Sequence, residues 1–423
     1  MAGSSKKSSS KWFNSFLGFN AAMSGHGILL PLYTAALGGT ARDFGLITAA
    51  YNAVSIGALV FWGKRSDRSG QRKRFILIGM AFTGIFLFLF PIAQTSGHLI
   101  ALNALLALFS VAGVPATTML VVELHSRGEW EKKLGEYNTY CGVGLAIGLL
   151  IGTFLLLVFN FQTMYLIFST IALLSALIGF LLIQDPVISL ERHPIVTTVP
   201  HLGIVERVRI WALSVHQLPS LSTFSNFRKR LRFSLTQDLP LYYISVFMLF
   251  TASNMVFVPL PLYLRYLGLS GSLIFLLYLI NNLSATTTYR IAIKRITKTG
   301  NARIMFLITG VRGLLFVGVA IIKLLNPTQA MVLIGVVLIL AGLSWAFMNT
   351  ASSALTLELS PLGHQGQALG GLNALIGGGV VCGALFGGFL TDTFGYYISC
   401  LCAAGIQSFG VGLLRIISGH QKK

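Results

Sequence analysis

Residues 63–74, GKRSDRSGQRKR, hold six basic side chains and a single acid, Asp67, between two long apolar runs. A carboxylate in such company can pair with a cation, accept from the free N–H groups that open a helix, or offset repulsion. Two more ionisable groups lie inside apolar runs. His26, flanked by Gly25 and Gly27, can titrate near neutral pH, carry a proton or donate to a solute. Arg312 is a permanent cation suited to bidentate carboxylate or phosphate contacts. Either can instead be a contact between helices. Asn52, Asn254, Asn282 and Asn349, with Trp345 near the last, can bind a solute or join helices by hydrogen bonds of about 0.6 kcal/mol each. Glu123 and Glu358 each end an apolar run. A carboxylate buried there needs a cationic partner, and Arg65, Arg72, Arg127 and Arg303 are at hand.

The elements that must position these groups are membrane helices. The chain has 423 residues, 54% hydrophobic and 10% charged, against roughly 25% charged in a soluble domain. Runs such as 98–122 and 364–390 are long enough to cross a hydrocarbon core of about 30 Å as helices. The short alternating segments of a barrel are missing. Twelve spans follow, at 13–36, 43–62, 75–94, 98–122, 135–158, 162–184, 239–264, 270–292, 302–324, 328–352, 364–390 and 395–417. The formal net charge of +19 does not imply nucleic acid. With the N-terminus inside, 27 of the 31 basic residues fall on the inner side, and only Arg42, Arg265 and Lys323 fall outside. Such asymmetry predicts both termini in the cytoplasm. It also sets the cations against the anionic lipid of the inner leaflet. Cys141, Cys382, Cys400 and Cys402 all fall within spans, so no disulfide framework or metal site is expected and no cofactor is implied.

The chain repeats itself. LLPLYTAALGG at 29–39 matches PLPLYLRYLGL at 259–269 with an offset of 230, which also pairs Asn52 with Asn282 and Gly70 with Gly300. An offset of 235 pairs Glu123 with Glu358. It also pairs Gly142, Gly144, Gly148 and Gly152 with Gly377, Gly379, Gly383 and Gly387. Each half therefore holds six spans, and both enter the membrane in the same sense. The expected domains are 1–184, a central loop 185–237 and 238–423. That loop carries an amphipathic piece at 204–215 and a basic-aromatic one at 224–233, both suited to the inner membrane surface.

Gly63, Asp67, Arg68, Gly70, Arg72 and Lys73 fit the pattern G-x-x-x-D-[RK]-x-G-x-[RK]-[RK] between spans two and three. In a chain of six plus six spans, this resembles the major facilitator superfamily, over the whole chain. The resemblance implies an all-helical membrane fold of two parallel six-helix bundles with a central cavity lined mainly by spans one, four, seven and ten. It implies a transporter of a small solute, not an enzyme, working as a monomer in the cell membrane by alternating access. Asp67 would latch onto the start of span eleven near 363–367 while the site faces outward. Glu123 and Glu358 would complete the cytoplasmic gate. The second copy of the motif, IKRITKTGNAR at 293–303, has Thr297 in place of the acid, so the latch is expected on one side only. Glycines spaced by four in spans five and eleven are expected to pack across the interface between the halves. Span five carries Gly148-Leu149 where antiporters of this family have Gly-Pro, which disfavours drug/proton antiport. No mid-depth Asp or Glu occurs in spans one, four, seven or ten, so any proton coupling would run through His26 or a group the sequence does not reveal, and uniport and exchange stay open. A solute-sensing receptor of the same fold is the alternative, and a lipid-modifying enzyme a more distant one. The substrate itself is not legible.

Overall fold

The structure is a computed structural model that describes residues 10–125, 129–185, 238–361 and 364–420. Within these every regular element is helical. Spans one to six are Asn14–Ala36, Ala41–Ser69, Arg72–Leu89, Ser96–Ser110 continued by Gly113–Leu124, Trp130–Leu155 and Phe161–Leu182. Spans seven to twelve are Leu239–Phe257 continued by Leu260–Tyr266, Gly271–Thr299, Asn301–Ala320, Pro327–Leu359, Gln365–Phe394 and Tyr396–His420. The central-loop segments at 204–215 and 224–233 lie outside the described residues.

The chain marks these helices locally. Spans two, four, six and eight, which all start at the end opposite the termini, open on side chains that accept from the first turn. Thr40 Oγ1 accepts from Asp43 N–H at 3.3 Å while Asp43 returns an acceptor to Thr40 N–H. Thr95, Asn160 and Ser270 accept from His98, Thr163 and Leu273 N–H. Such caps fill donors that a helix end leaves free. Span four breaks at Val111-Ala112, just before Pro115, and span seven at Val258-Pro259, just before Pro261. A proline removes one donor and clashes with the turn before it, which accounts for both breaks.

Ten of the twelve spans are long and apolar enough to cross a bilayer on composition alone. Spans one and eight fall short. Their histidine, glycines and asparagines dilute the apolar run, and both spans face the interior cavity described below.

Packing repeats with the chain. Span one lies on spans five and six, span three on four and six, and span two on four. Span seven lies on eleven and twelve, span nine on ten and twelve, and span eight on ten. The halves meet where span two crosses eleven and span five crosses eight. Most members of the glycine stripes pack within a half, and only Gly152 and Gly377 reach across the interface as expected. Gly144 packs on Leu17 and Asn20, and Gly148 on Ala21 and Ser24 of span one. Gly379, Gly383 and Gly387 likewise pack on Phe247, Thr251 and Met255 of span seven. These five glycines bind helices within each half. Contacts between halves fall to Gly45 against Ala384 and Gly388, to Gly152 against Phe275, and to Gly271 against Leu156. Gly377, nearer mid-depth, meets Ile56 of span two.

Candidate functional site

His26 is the thirteenth residue of the 23 in span one and is 4% exposed. Its Nε2 lies 3.1 Å from Asn103 Oδ1 of span four, and Asn103 Nδ2 donates to Ile47 O of span two at 3.3 Å. That donation turns the amide oxygen toward the imidazole, so Nε2 carries the hydrogen and Nδ1 is left as an acceptor. Edge-on Phe90 at 4.8 Å and tilted Tyr165 at 5.9 Å fix the ring. His26 and Asn103 line a cavity of about 330 Å³ bounded by spans one, two, four, seven and eight. Thr48 and Tyr51 of span two contribute, with Phe257 and Val258 at the break in span seven and Tyr278 of span eight. Two polar atoms in this wall have no hydrogen-bond partner among the described residues, His26 Nδ1 and Tyr278 Oη. They come from opposite halves.

The remaining sequence candidates lie apart from this cavity. Asn52 and Asn254 donate to carbonyls of their own helices, Thr48 O and Phe250 O, each at 2.8 Å. Asn282 keeps a buried Oδ1 with no partner among the described residues. Asn349 donates to Tyr289 Oη at 3.4 Å. Arg312 is 2% exposed and donates to Ala341 O and Ser344 Oγ of span ten. Its guanidinium lies 5.2 Å from the Phe257 ring and 5.8 Å from that of Trp345. It thus sits directly behind a cavity wall.

Asn103, Tyr51, Thr48, Phe257 and Tyr278 escaped the sequence reading. One signal was available for Asn103, a lone amide within ALNALLALFS. A second was the 230-residue offset, which pairs Thr48 with Tyr278 and Gly27 with Phe257, all of them lining the cavity.

The basic motif is mostly helix rather than loop. Span two runs on through Gly63, Asp67 and Arg68 to Ser69, so only Gly70 and Gln71 turn the chain. Gly70 adopts φ 67° and donates to Ser66 O at 3.0 Å, a left-handed stop that glycine takes without strain. Arg72 is the hub. It donates to Asp67 at 2.9 Å, Ser66 Oγ at 2.8 Å and Glu123 at 3.0 Å. Its side chain is 6% exposed and that of Glu123 12%, whereas Asp67 is 65% exposed. Lys73 is held by Phe180 O through its ammonium and by Asp185 through its backbone N–H. The acid at the start of span three is therefore Asp185. The expected contact of Asp67 near 363–367 falls partly on residues 362 and 363, outside the described residues. In the second half, Asn301 Nδ2 donates to Glu358 at 2.7 Å where the first half has Arg72 and Glu123. Arg127, a candidate partner for the glutamates, also lies outside the described residues.

Two pseudo-equivalent helical bundles, a cavity between them and a charged turn at one end define a multi-pass membrane protein of the transporter class. The family model of the Major Facilitator Superfamily matches residues 12–370, and the chain belongs to that family. An uncharacterised MFS-type transporter of Methanocaldococcus jannaschii is 22% identical over 91% of each chain. The quinolone resistance protein NorA of Staphylococcus aureus is 26% identical over 37% of this chain and 40% of its own. Among solved structures, the nucleoside transporter NupG superposes with a TM-score of 0.71 at 14% identity, covering 96% of this chain and 98% of its own. A bacterial homologue of the human lysosomal transporter Spinster, in an inward-facing conformation, gives 0.69 at 12% identity over 96% and 95%. At these identities the superpositions establish the fold.

Proposed function

We propose that the chain is a secondary or facilitative transporter that carries a small solute by alternating access. On this reading residues 1–184 and 238–423 rock about the cavity, joined by 185–237. The protein lies in the cell membrane with both termini in the cytoplasm. The supporting observation is the cavity itself, whose wall is drawn from both halves and whose lining residues His26 and Tyr278 each keep a buried polar atom without a partner among the described residues. Toward the end opposite the termini, Gly45 and Gly388 bring the backbones of the two halves close together, and Gly152 receives the Phe275 ring. At the other end Asp67 is tied to Arg72 and open to solvent. That combination suits the inward-facing phase, with the latch to span eleven released. Asp67, Arg72 and Glu123 form the gate, aided by Gly63, Arg68, Gly70 and Lys73, and Glu358 is its counterpart in the second half. A solute held between His26 and the second half would feel any change in their separation, which is how binding energy shifts a conformational balance.

The test is two-sided access. Thr48→Cys is placed in a background with Cys141, Cys382, Cys400 and Cys402 replaced by Ala or Ser. It is then labelled by an impermeant thiol reagent in right-side-out and in inverted vesicles. Labelling from both sides is expected. Labelling from one side only, under every solute condition, would exclude alternating access.

A further inference from the structure

We infer that this cavity selects an uncharged aromatic molecule bearing an O–H or N–H donor, received by His26 Nδ1, and that Arg312 discriminates against cations. The inference rests on the transport reading and names the solute class of the same site.

Three observations carry it. The first is charge. Among the described residues lining the cavity there is no aspartate, glutamate, lysine or arginine. An ion entering would lose its hydration with no opposite charge to meet it. Phe257 forms part of the wall, and its ring already takes the Arg312 guanidinium at 5.2 Å. A ring face stabilises a cation because its quadrupole is negative there. A second cation brought against Phe257 would meet the field of the first. An anion would feel that field favourably, yet it would reach no donor on Arg312, whose side chain is 2% exposed and turned to Ala341 O and Ser344 Oγ.

The second observation is hydrogen bonding. The Ile47–Asn103–His26 chain commits Nε2 to donation, so Nδ1 offers a lone pair. That atom is buried and has no partner among the described residues. A buried acceptor gains most from a ligand that donates. Tyr278 Oη, also without a partner there, supplies a donor from the opposite half. The ligand thus needs a donor and an acceptor, and a phenol or an amide carries both.

The third observation is surface. Phe44, Tyr51, Phe257 and Tyr278 give the wall flat apolar faces, which suit offset stacking on an aromatic ring. At about 330 Å³ the cavity is at the small end of ligand sites.

Four probes of nearly equal size separate these demands: para-ethylphenol (neutral donor), para-ethylanisole (its donor-free ether), tyramine (cation) and para-hydroxyphenylacetate (anion). Equilibrium binding to the full-length protein in detergent at neutral pH is read by titration calorimetry, with thermal shift in parallel. Para-ethylphenol is expected to bind roughly tenfold or more tightly than each of the others. His26→Phe keeps a ring of similar shape and is expected to abolish the preference for phenol over ether. Arg312→Gln keeps a donor for Ala341 O and is expected to raise tyramine binding relative to para-ethylphenol. Each variant is checked for a monodisperse elution profile. Should a variant not fold, the ranking of the four probes on the unaltered protein still decides. Tightest binding of tyramine or of para-hydroxyphenylacetate overturns the neutral class and leaves the transport reading standing. Equal binding of phenol and ether overturns the role of His26. Binding of none overturns the assignment of this cavity. One-sided labelling of Thr48→Cys, by contrast, strikes the transport reading itself.

Discussion

At the scale of single residues, burial separates the two acids that Arg72 holds. Glu123 is 12% exposed and meets a nearly buried guanidinium, whereas Asp67 is 65% exposed. Removing one partner of a buried pair costs about 3–5 kcal/mol, while an exposed pair contributes about 0–1 kcal/mol. Arg72→Met is therefore expected to lower thermal stability in detergent more than a change at Asp67 does, because it removes the cation that the mostly buried Glu123 meets at 3.0 Å. Asp67→Asn is expected to change stability by less than about 1 kcal/mol and yet to cripple solute flux in proteoliposomes. Near-normal flux in that variant would remove Asp67 from the gate. Which groups are chemically special was legible in the sequence for His26, Arg72 and Asp67, because charge in an apolar chain stands out. Asn103 and Tyr278 did not stand out, since an amide or a phenol in a span is common and only its neighbours give it a task. Asp185 was missed for a related reason. It acts on Lys73 N–H from 112 residues away, a distance along the chain that no local pattern bridges.

Helices show the same division. Their number and approximate limits follow from the length of apolar runs. The extension of span two to Ser69 was not legible, because its last turns carry the polar residues that a hydropathy reading assigns to a loop. The glycine stripes were legible as stripes, but not their partners. A Cβ on Gly148 would overlap Ala21 O and Ser24 Oγ of span one, and one on Gly383 would lie 2.5 Å from Thr251 O of span seven. Gly142, by contrast, has open space around the same position. Overpacking of this kind costs about 1–3 kcal/mol. Gly148→Ala and Gly383→Ala are thus each expected to lower the unfolding temperature in detergent, with Gly142→Ala close to neutral. Equal effects at all three positions would mean that helix propensity, rather than close approach, dominates.

Considered whole, the molecule is two copies of one six-helix arrangement joined where span two crosses eleven and span five crosses eight. If the halves rock, the contacts at the end opposite the termini must open in each cycle. Arg42→Cys with Phe389→Cys, placed where the Arg42 guanidinium lies 6.0 Å from the Phe389 ring across the halves, gives a pair for a short thiol cross-linker in a background free of native cysteines. Cross-linking is expected to stop solute flux, and a cleavable linker should allow recovery after cleavage. Undiminished flux in the cross-linked protein would contradict rocking about the cavity.

The sequence by itself determined the membrane setting, the twelve helices, the duplication, the family and the charged turn. These follow from composition, run length and local pattern, which are properties of neighbours along the chain. The tertiary structure alone decided which faces meet: most stripe glycines bind within a half while Gly152 and Gly377 meet the other, Arg72 joins Asp67 to Glu123, and His26 shares a wall with Tyr278. In a bilayer the hydrophobic effect does not choose which helix faces which, since lipid and side chains are equally apolar. The choice rests on close packing and a few hydrogen bonds, and these depend on residues far apart in the chain.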